Sequence, residues 1–184
     1  LKMMLEIEQK ELHPNVLINN AGYIYNELMF NFFSKEEQNH SVNGWEKTLN
    51  SNLNTTFFTT RAFIDQFGSR RKGSLIINMS SVSAKGMAGQ SAYAASKAAI
   101  EALTKTWSKE LAALKIRSVA IAPGFFDTPT TESTLSAKKL DEYKKKTNVN
   151  RLGNSDELAE AVKFIIQNDF YNGDILSLDG GFNG

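Results

Sequence analysis

Residues 75–124 read LIINMSSVSAKGMAGQSAYAASKAAIEALTKTWSKELAALKIRSVAIAPG. Leu75-Ile76-Ile77-Asn78-Met79 is a short apolar run between a basic loop, Gly68 to Gly73, and a small-residue loop, Ser80 to Ser91. Such a run is the pattern of a buried strand. Ala92 to Leu114, rich in Ala, Lys, Glu and Leu, predicts a long helix. Ile116 to Ala122 is a second apolar run, ended by Pro123-Gly124. Strand, helix and strand in that order argue for parallel pairing with a helix packed on the sheet.

The same alternation continues outward. Leu1 to Leu12 predicts an amphipathic helix tail ended by Pro14, and Asn15 to Asn19 a buried strand followed by the turn Asn19-Asn20-Ala21-Gly22. Tyr23 to Asn43 is aromatic and polar without a clean period, a loop with at most one short helical turn. Trp45 to Phe67 carries apolar residues at three-to-four spacing and predicts one long helix. Thr128 to Asn148 is charged and helical in part from about Ser136. Ser155-Asp156-Glu157 predicts an N-cap and a helix to about Asn168. Asp174 to Leu178 is a last strand, and Asp179-Gly180-Gly181 a turn. The expectation is one α/β domain over residues 1–184, a parallel sheet with helices on both faces and a ligand site at the carboxyl ends of its strands.

Composition narrows the function. With 184 residues, 41% of them apolar and 22% charged, the chain is long enough for a sizeable core. A net charge of +1 implies no nucleic acid or other polyanionic partner. The absence of cysteine excludes disulfides and thiolate metal sites, and two histidines, His13 and His40, argue against a His-rich metal centre or a Ser-His-Asp triad. No apolar run approaches a membrane span and no signal peptide is apparent, so a cytoplasmic protein is the expectation.

The residues with chemistry centre on Tyr93-Ala94-Ala95-Ser96-Lys97. Positions i and i+4 share a helix face, and a lysine ammonium there stabilises a phenolate and lowers the tyrosine pKa. A tyrosine so tuned donates or accepts a proton near neutral pH. By itself the pair is a common surface spacing. Upstream, however, a strand ends in Ser80-Ser81, where a hydroxyl can hydrogen-bond a substrate carbonyl oxygen.

Asn19-Asn20-Ala21-Gly22, Ser80/Ser81, Tyr93-x-x-x-Lys97, Pro123-Gly124, Arg151-Leu152-Gly153 and Asp179-Gly180-Gly181 occur in an order that resembles the short-chain dehydrogenase/reductase family, in its β-ketoacyl-ACP-reductase-like branch. The similarity extends over essentially the whole chain. It implies a Rossmann-type doubly wound fold and an NAD(P)-dependent oxidoreductase that interconverts a carbonyl and a secondary alcohol on a small molecule. In that pattern Tyr93 is the general acid or base, Lys97 holds the nicotinamide ribose, and Asn52, seven residues after Trp45, holds a water in the proton relay. The serine is Ser80 by its thirteen-residue distance from the tyrosine, or Ser81 by alignment along the strand, and Ser81 is preferred. Asn20, Ala21 and Gly22 would line the adenosine side of the cofactor; Pro123, Gly124, Phe126 and Thr128 would flank the nicotinamide, with the Phe126 backbone on its carboxamide. No metal is implied. Relatives assemble through the two long helices, which implies a homo-oligomer, a dimer or tetramer.

The sequence departs from the family at two places. No Gly-x-x-x-Gly-x-Gly phosphate loop occurs, nor the residue that selects NAD or NADP. The resemblance therefore implies a longer natural protein with the first strands ahead of Leu1, and without them an exposed sheet edge. The segment Tyr23 to Gly44 is longer than the family's usual by about eight residues, an insertion expected to shape the substrate pocket, to pack on another subunit, or simply to fill the loop with core anchors. The alternatives to an enzyme are a non-catalytic cofactor-binding or scaffold protein of the same fold, or an inactive fragment; the intact set of Asn52, serine, Tyr93 and Lys97 favours chemistry.

Overall fold

The computed structural model describes residues 2–35, 37–68, 73–128, 131 and 136–183. The first half runs α1 (Lys2–Gln9), β1 (Val16–Asn19), α2 (Val42–Leu49), a π-helical segment (Asn50–Asn54), α3 (Thr55–Phe67) and β2 (Ser74–Met79). A 3₁₀ turn (Val82–Lys85) leads into α4 (Ser91–Glu110), followed by β3 (Ile116–Pro123), α5 (Ala137–Lys146), α6 (Ser155–Gln167) and β4 (Ile175–Leu178). The four strands pair in the order β1-β2-β3-β4, all parallel, with Leu17 beside Ile76, Ile77 beside Val119 and Ile121 beside Leu176. The expected α/β sheet is thus present, within a residue or two of the strand limits read from the sequence. Most of the loop Gly68 to Gly73 and residues 129–130 and 132–135 of the stretch after Thr128 lie outside the described residues.

Alternation along β2 places the core. Leu75, Ile77 and Met79 face one way and pack with Val119 and Ile121 against Ala161 and Ile165 of α6. Ile76 faces the other way, onto Phe63 and Phe67 of α3 and Met4 of α1, with Ile116 beside it. Each such aliphatic or aromatic side chain contributes about 1.5–3 kcal/mol by leaving water, so the central strands are anchored on both faces. β1 is an edge strand, and Ile18 on it is 43% exposed. Among the described residues no helix is long and apolar enough to cross a membrane.

A buried polar chain ties the sheet to the helices, and nothing in the hydrophobic pattern foretold it. The Asn19 amide donates to Thr60 Oγ1 at 2.9 Å and to Asn78 Oδ1 at 2.8 Å, and the Asn78 amide donates to Thr104 Oγ1 at 2.9 Å. These satisfied bonds fix α3 and α4 against the last turns of β1 and β2.

Two helix readings need correction. The helix expected over Trp45–Phe67 begins at Val42, capped by Ser41, and is interrupted by Asn50–Asn54, where the Thr55 N–H reaches back to the Asn50 carbonyl. Asn and Ser are poor helix formers, and the run Asn50-Ser51-Asn52 gives the helix little reason to stay regular. The cap expected at Ser155 is instead Asn154, whose side chain accepts from the backbone while Glu157 bonds back to the Asn154 N–H.

Gly124 shows how tightly the strand ends meet. A Cβ there would lie 2.8 Å from Asp179 Cα, a backbone atom that no rotamer change can move. Gly124→Val is expected to destabilise the fold by about 3 kcal/mol, as overpacking does at its upper range. Denaturant unfolding checks this, and an unchanged midpoint would contradict the packing described.

Candidate active site

The ends of β1 and β2, the π-helical segment and the first turns of α4 converge. Lys97 is 4% exposed, and its ammonium donates to the Met79 carbonyl at 2.6 Å. The same nitrogen lies 5.6 Å from the centre of the Tyr93 ring. The Ser81 side chain acts on the Tyr93 phenol, favouring its ionised form, and its hydroxyl accepts from the Ser83 N–H at 3.1 Å, capping the 3₁₀ turn. Ser80 takes another course. It is buried, and its hydroxyl donates to Glu101 Oε1 on α4 at 2.7 Å. The backbone at Ser81 is extended, and neighbouring residues on extended backbone point to opposite sides. Only Ser81 of the two candidates is therefore brought to Tyr93.

Asn52 is fully buried inside the π-helical segment. Its amide donates to the Tyr23 carbonyl at 3.0 Å and to Ser96 Oγ at 3.1 Å, and its Oδ1 accepts from the Tyr23 N–H at 2.6 Å. Ser96 in turn donates to the Tyr93 carbonyl at 2.7 Å. One carboxamide thus joins the loop after β1 to the turn of α4 that carries Tyr93. π-bulges of this kind recur at functional sites because they turn a side chain out of helical register. Ser96 and the Tyr23 backbone were missed from sequence. The only available signal was that Ser96 is a small polar residue three positions after Tyr93.

The electrostatics differ from the expectation. Burial pushes the Tyr93 phenol above its ordinary value, and the Ser81 hydrogen bond opposes this only in part. Burial lowers Lys97 from its ordinary value to about 8. Lys97 does not lower Tyr93 here, since its ammonium is turned to the Met79 carbonyl.

Asn20, Ala21 and Gly22 follow β1 and are exposed. A Cβ on Gly22 would stand 3.5 Å from Asn52 Oδ1 and 3.7 Å from Lys97 Nζ, so the missing side chain keeps that approach open. Pro123, Gly124, Phe126 and Thr128 lie at and beyond the end of β3. Phe126 is buried and bridges Gly153, with the Asp127 N–H on the Gly153 carbonyl at 2.8 Å and the Gly153 N–H on the Phe125 carbonyl at 2.9 Å. These bonds give the Arg151-Leu152-Gly153 motif a structural task. Thr128 Oγ1 meets Thr131 Oγ1 at 2.9 Å.

A cleft of about 700 Å³ opens beside these residues, with Gly22, Leu28, Met87, Gln90, Phe125 and Tyr143 in its walls. Phe125 stacks on Tyr143 of α5 with ring centres 3.7 Å apart, a contact the sequence did not reveal. A hollow of about 520 Å³, lined by Asn15, Ser74, Ile116 and Arg117, lies at the amino ends of the strands. It is remote from the titrating groups, and ligands of parallel sheets bind at the carboxyl ends.

The family model described as enoyl-(acyl carrier protein) reductase matches residues 2–183. The 3-oxoacyl-[acyl-carrier-protein] reductase FabG of Thermotoga maritima is 35% identical over 178 residues, 96% of this chain and 69% of that protein. The chain belongs to the short-chain dehydrogenase/reductase family. Within it, the FabG protein of Chlamydia trachomatis is 35% identical over 91% of this chain and 64% of its own length. The 3-hydroxyacyl-CoA dehydrogenase type-2 of Homo sapiens is 35% identical over 90% of this chain and 65% of its own. The chain thus spans about two-thirds of the length of these relatives. Among solved structures, 4-hydroxyisoleucine dehydrogenase complexed with NADH superposes with TM-score 0.86 at 26% identity, over 98% of this chain and 72% of that one. A gluconate dehydrogenase candidate from Agrobacterium tumefaciens gives TM-score 0.87 at 24% identity over 98% of this chain and 69% of that one, which supports the fold. The chain has the short-chain dehydrogenase/reductase fold of an oxidoreductase family, and its branch is the 3-oxoacyl-ACP-reductase-like one.

Proposed function

We propose that this chain supplies the proton-transfer and substrate-polarising residues of a nicotinamide-dependent oxidoreductase that interconverts a ketone and a secondary alcohol. The observation that carries this reading is the buried Lys97 ammonium 5.6 Å from the centre of the Tyr93 ring, with Ser81 acting on the same phenol. The open backbone at Gly22 and the uncommitted donors of Lys97, which gives one of three N–H groups to Met79, fit the ribose end of a nicotinamide nucleotide. When bound, that group supplies or accepts the hydride.

The protein's own part is the proton. As the carbonyl oxygen gains charge, the Tyr93 hydroxyl gives up its proton to it and Ser81 donates a hydrogen bond to the same oxygen. Lys97, held at one donor by the Met79 carbonyl, keeps its remaining donors for the ribose end of that nucleotide. Asn52 keeps the Tyr93 turn of α4 in place through Ser96. The relatives named FabG and 3-hydroxyacyl-CoA dehydrogenase point to a 3-oxoacyl or 3-hydroxyacyl thioester as the substrate class. The half-exposed Phe57 and Phe58 on α3 support self-association into a homo-oligomer.

The two serines separate this reading from a purely structural one. In the whole protein, Ser81→Ala is expected to lower turnover about 10²-fold, the range for one lost donor to a developing oxyanion. Ser80→Ala should instead cost about 1–3 kcal/mol of stability by leaving the Glu101 carboxylate short of a partner, with turnover reduced much less. Nicotinamide absorbance and thermal unfolding measure the two effects. Equal turnover losses in both variants would remove Ser81 from the role.

A further inference from the structure

The segment Tyr23–Asn43 does not hang free over the cleft; it is stitched to the loop that precedes α4. The Glu27 N–H donates to the Gly89 carbonyl at 2.8 Å, and the Gln90 amide donates to Asn26 Oδ1 at 2.8 Å. From the other side, the Glu27 carboxylate accepts from the Ser41 N–H at 2.5 Å and from the Tyr25 hydroxyl at 3.0 Å. Gln90 stands three residues before Tyr93, so the stitch is made at the rim of the candidate active site. Of the exposed apolar side chains of the segment, two turn to the cleft: Ile24 is 51% exposed and Leu28 47%. Both line the cleft of about 700 Å³, with Met87, Phe125 and Tyr143 across from them. Gly22 lines it too, and a Cβ there would stand 3.7 Å from Lys97 Nζ, so one wall of the cleft backs onto the Lys97 ammonium.

We infer that this segment is a substrate-selecting wall and that Leu28 is a specificity-determining residue, favouring carbonyl compounds that carry an extended apolar chain. Desolvation supplies the preference. Rigidly held aliphatic and aromatic walls around a cleft gain from each methylene that leaves water, about 0.8 kcal/mol per group fully buried. They offer a small polar hydroxy acid or sugar nothing in return for its lost hydration. The stitch matters because a fixed wall binds a chain without first having to be ordered. This inference rests on the reading of Tyr93 and Ser81 as the reacting end of the cleft, and it adds which substrates reach that end.

The test uses the whole protein and 3-oxoacyl N-acetylcysteamine thioesters with acyl chains from four to ten carbons. For the wild type, kcat/KM is expected to rise about tenfold or more across the series, well within what several buried methylenes provide. Leu28→Asn should flatten that slope, losing about tenfold on the longest member and far less on the shortest. Calorimetric binding of the matching 3-hydroxyacyl thioesters gives a readout free of turnover, and affinity should follow the same two slopes. A flat wild-type series, or a Leu28→Asn variant impaired equally at every length, overturns the inference. If the longer ligands bind more tightly but no member is turned over, the wall stands and the proposed chemistry falls.

Discussion

Tyr93→Phe is expected to lower turnover of the whole protein by about 10³-fold, the middle of the range for a positioned general acid, while the affinity for the nicotinamide nucleotide changes little. The ring stays, so its packing in the first turn of α4 is kept; only the hydroxyl that meets Ser81 is lost. A hydrogen bond of that kind is worth about 1 kcal/mol to stability, so the variant should fold and unfold nearly as the wild type does. The loss should fall on kcat more than on KM, because the proton passes only as the substrate oxygen becomes an alkoxide. Burial raises the Tyr93 pKa, which keeps the group protonated across the neutral range. In the reduction direction it is therefore already in the form that can donate. Stopped-flow and steady-state measurements on the same ketone would show it, and turnover within tenfold of wild type would remove Tyr93 as the proton donor.

How much of this was readable from the residues differs between fold and site. The central strands declare themselves because Leu75–Met79 and Ile116–Ala122 are buried on both faces, so burial and sequence carry the same information. The helix across Asn50–Asn54 was read as regular because apolar spacing continues through it. The extra residue that makes it π-helical follows from where Asn52 finds its partners, Tyr23 and Ser96, both distant in sequence. The choice between Ser80 and Ser81 could not be closed by counting residues to Tyr93. What favours Ser81 is Glu101, one turn beyond Lys97, which engages the Ser80 hydroxyl. The expectation for Tyr93 and Lys97 shared this limit. Spacing puts the two on one face, but the Met79 carbonyl, set by the end of β2, is what the ammonium meets. The segment Tyr23–Asn43 likewise reads as an aromatic loop, and the role of wall proposed for it depends on the backbone bond from Glu27 to Gly89 that no side-chain pattern announces.

Lys97→Met should separate the chemical role of Lys97 from its cost to the fold. Loss of the charge is expected to reduce turnover by about 10²–10³-fold, as for other removed electrostatic groups in an active site. Stability should move with pH in a direction fixed by the protonation difference. Lys97 has a folded-state pKa of about 8, against an ordinary value of 10.5. Below about 8 the amine is charged in both folded and unfolded chains, and the folded chain bears the whole desolvation penalty. Between those two values the unfolded chain binds more protons, so the wild type gains stability as pH rises through the window. The full gain is on the order of 3 kcal/mol, taking 1.36 kcal/mol for each pKa unit. Methionine carries no such penalty at any pH, although it leaves the Met79 carbonyl without its donor. The variant's stability relative to wild type should therefore be highest below pH 8 and fall steadily to about pH 10.5. Urea unfolding of both proteins at intervals across that range measures the difference, with the offset from the lost Met79 bond cancelling in the slope. A difference that stays constant with pH would mean that Lys97 is not held in a dry pocket.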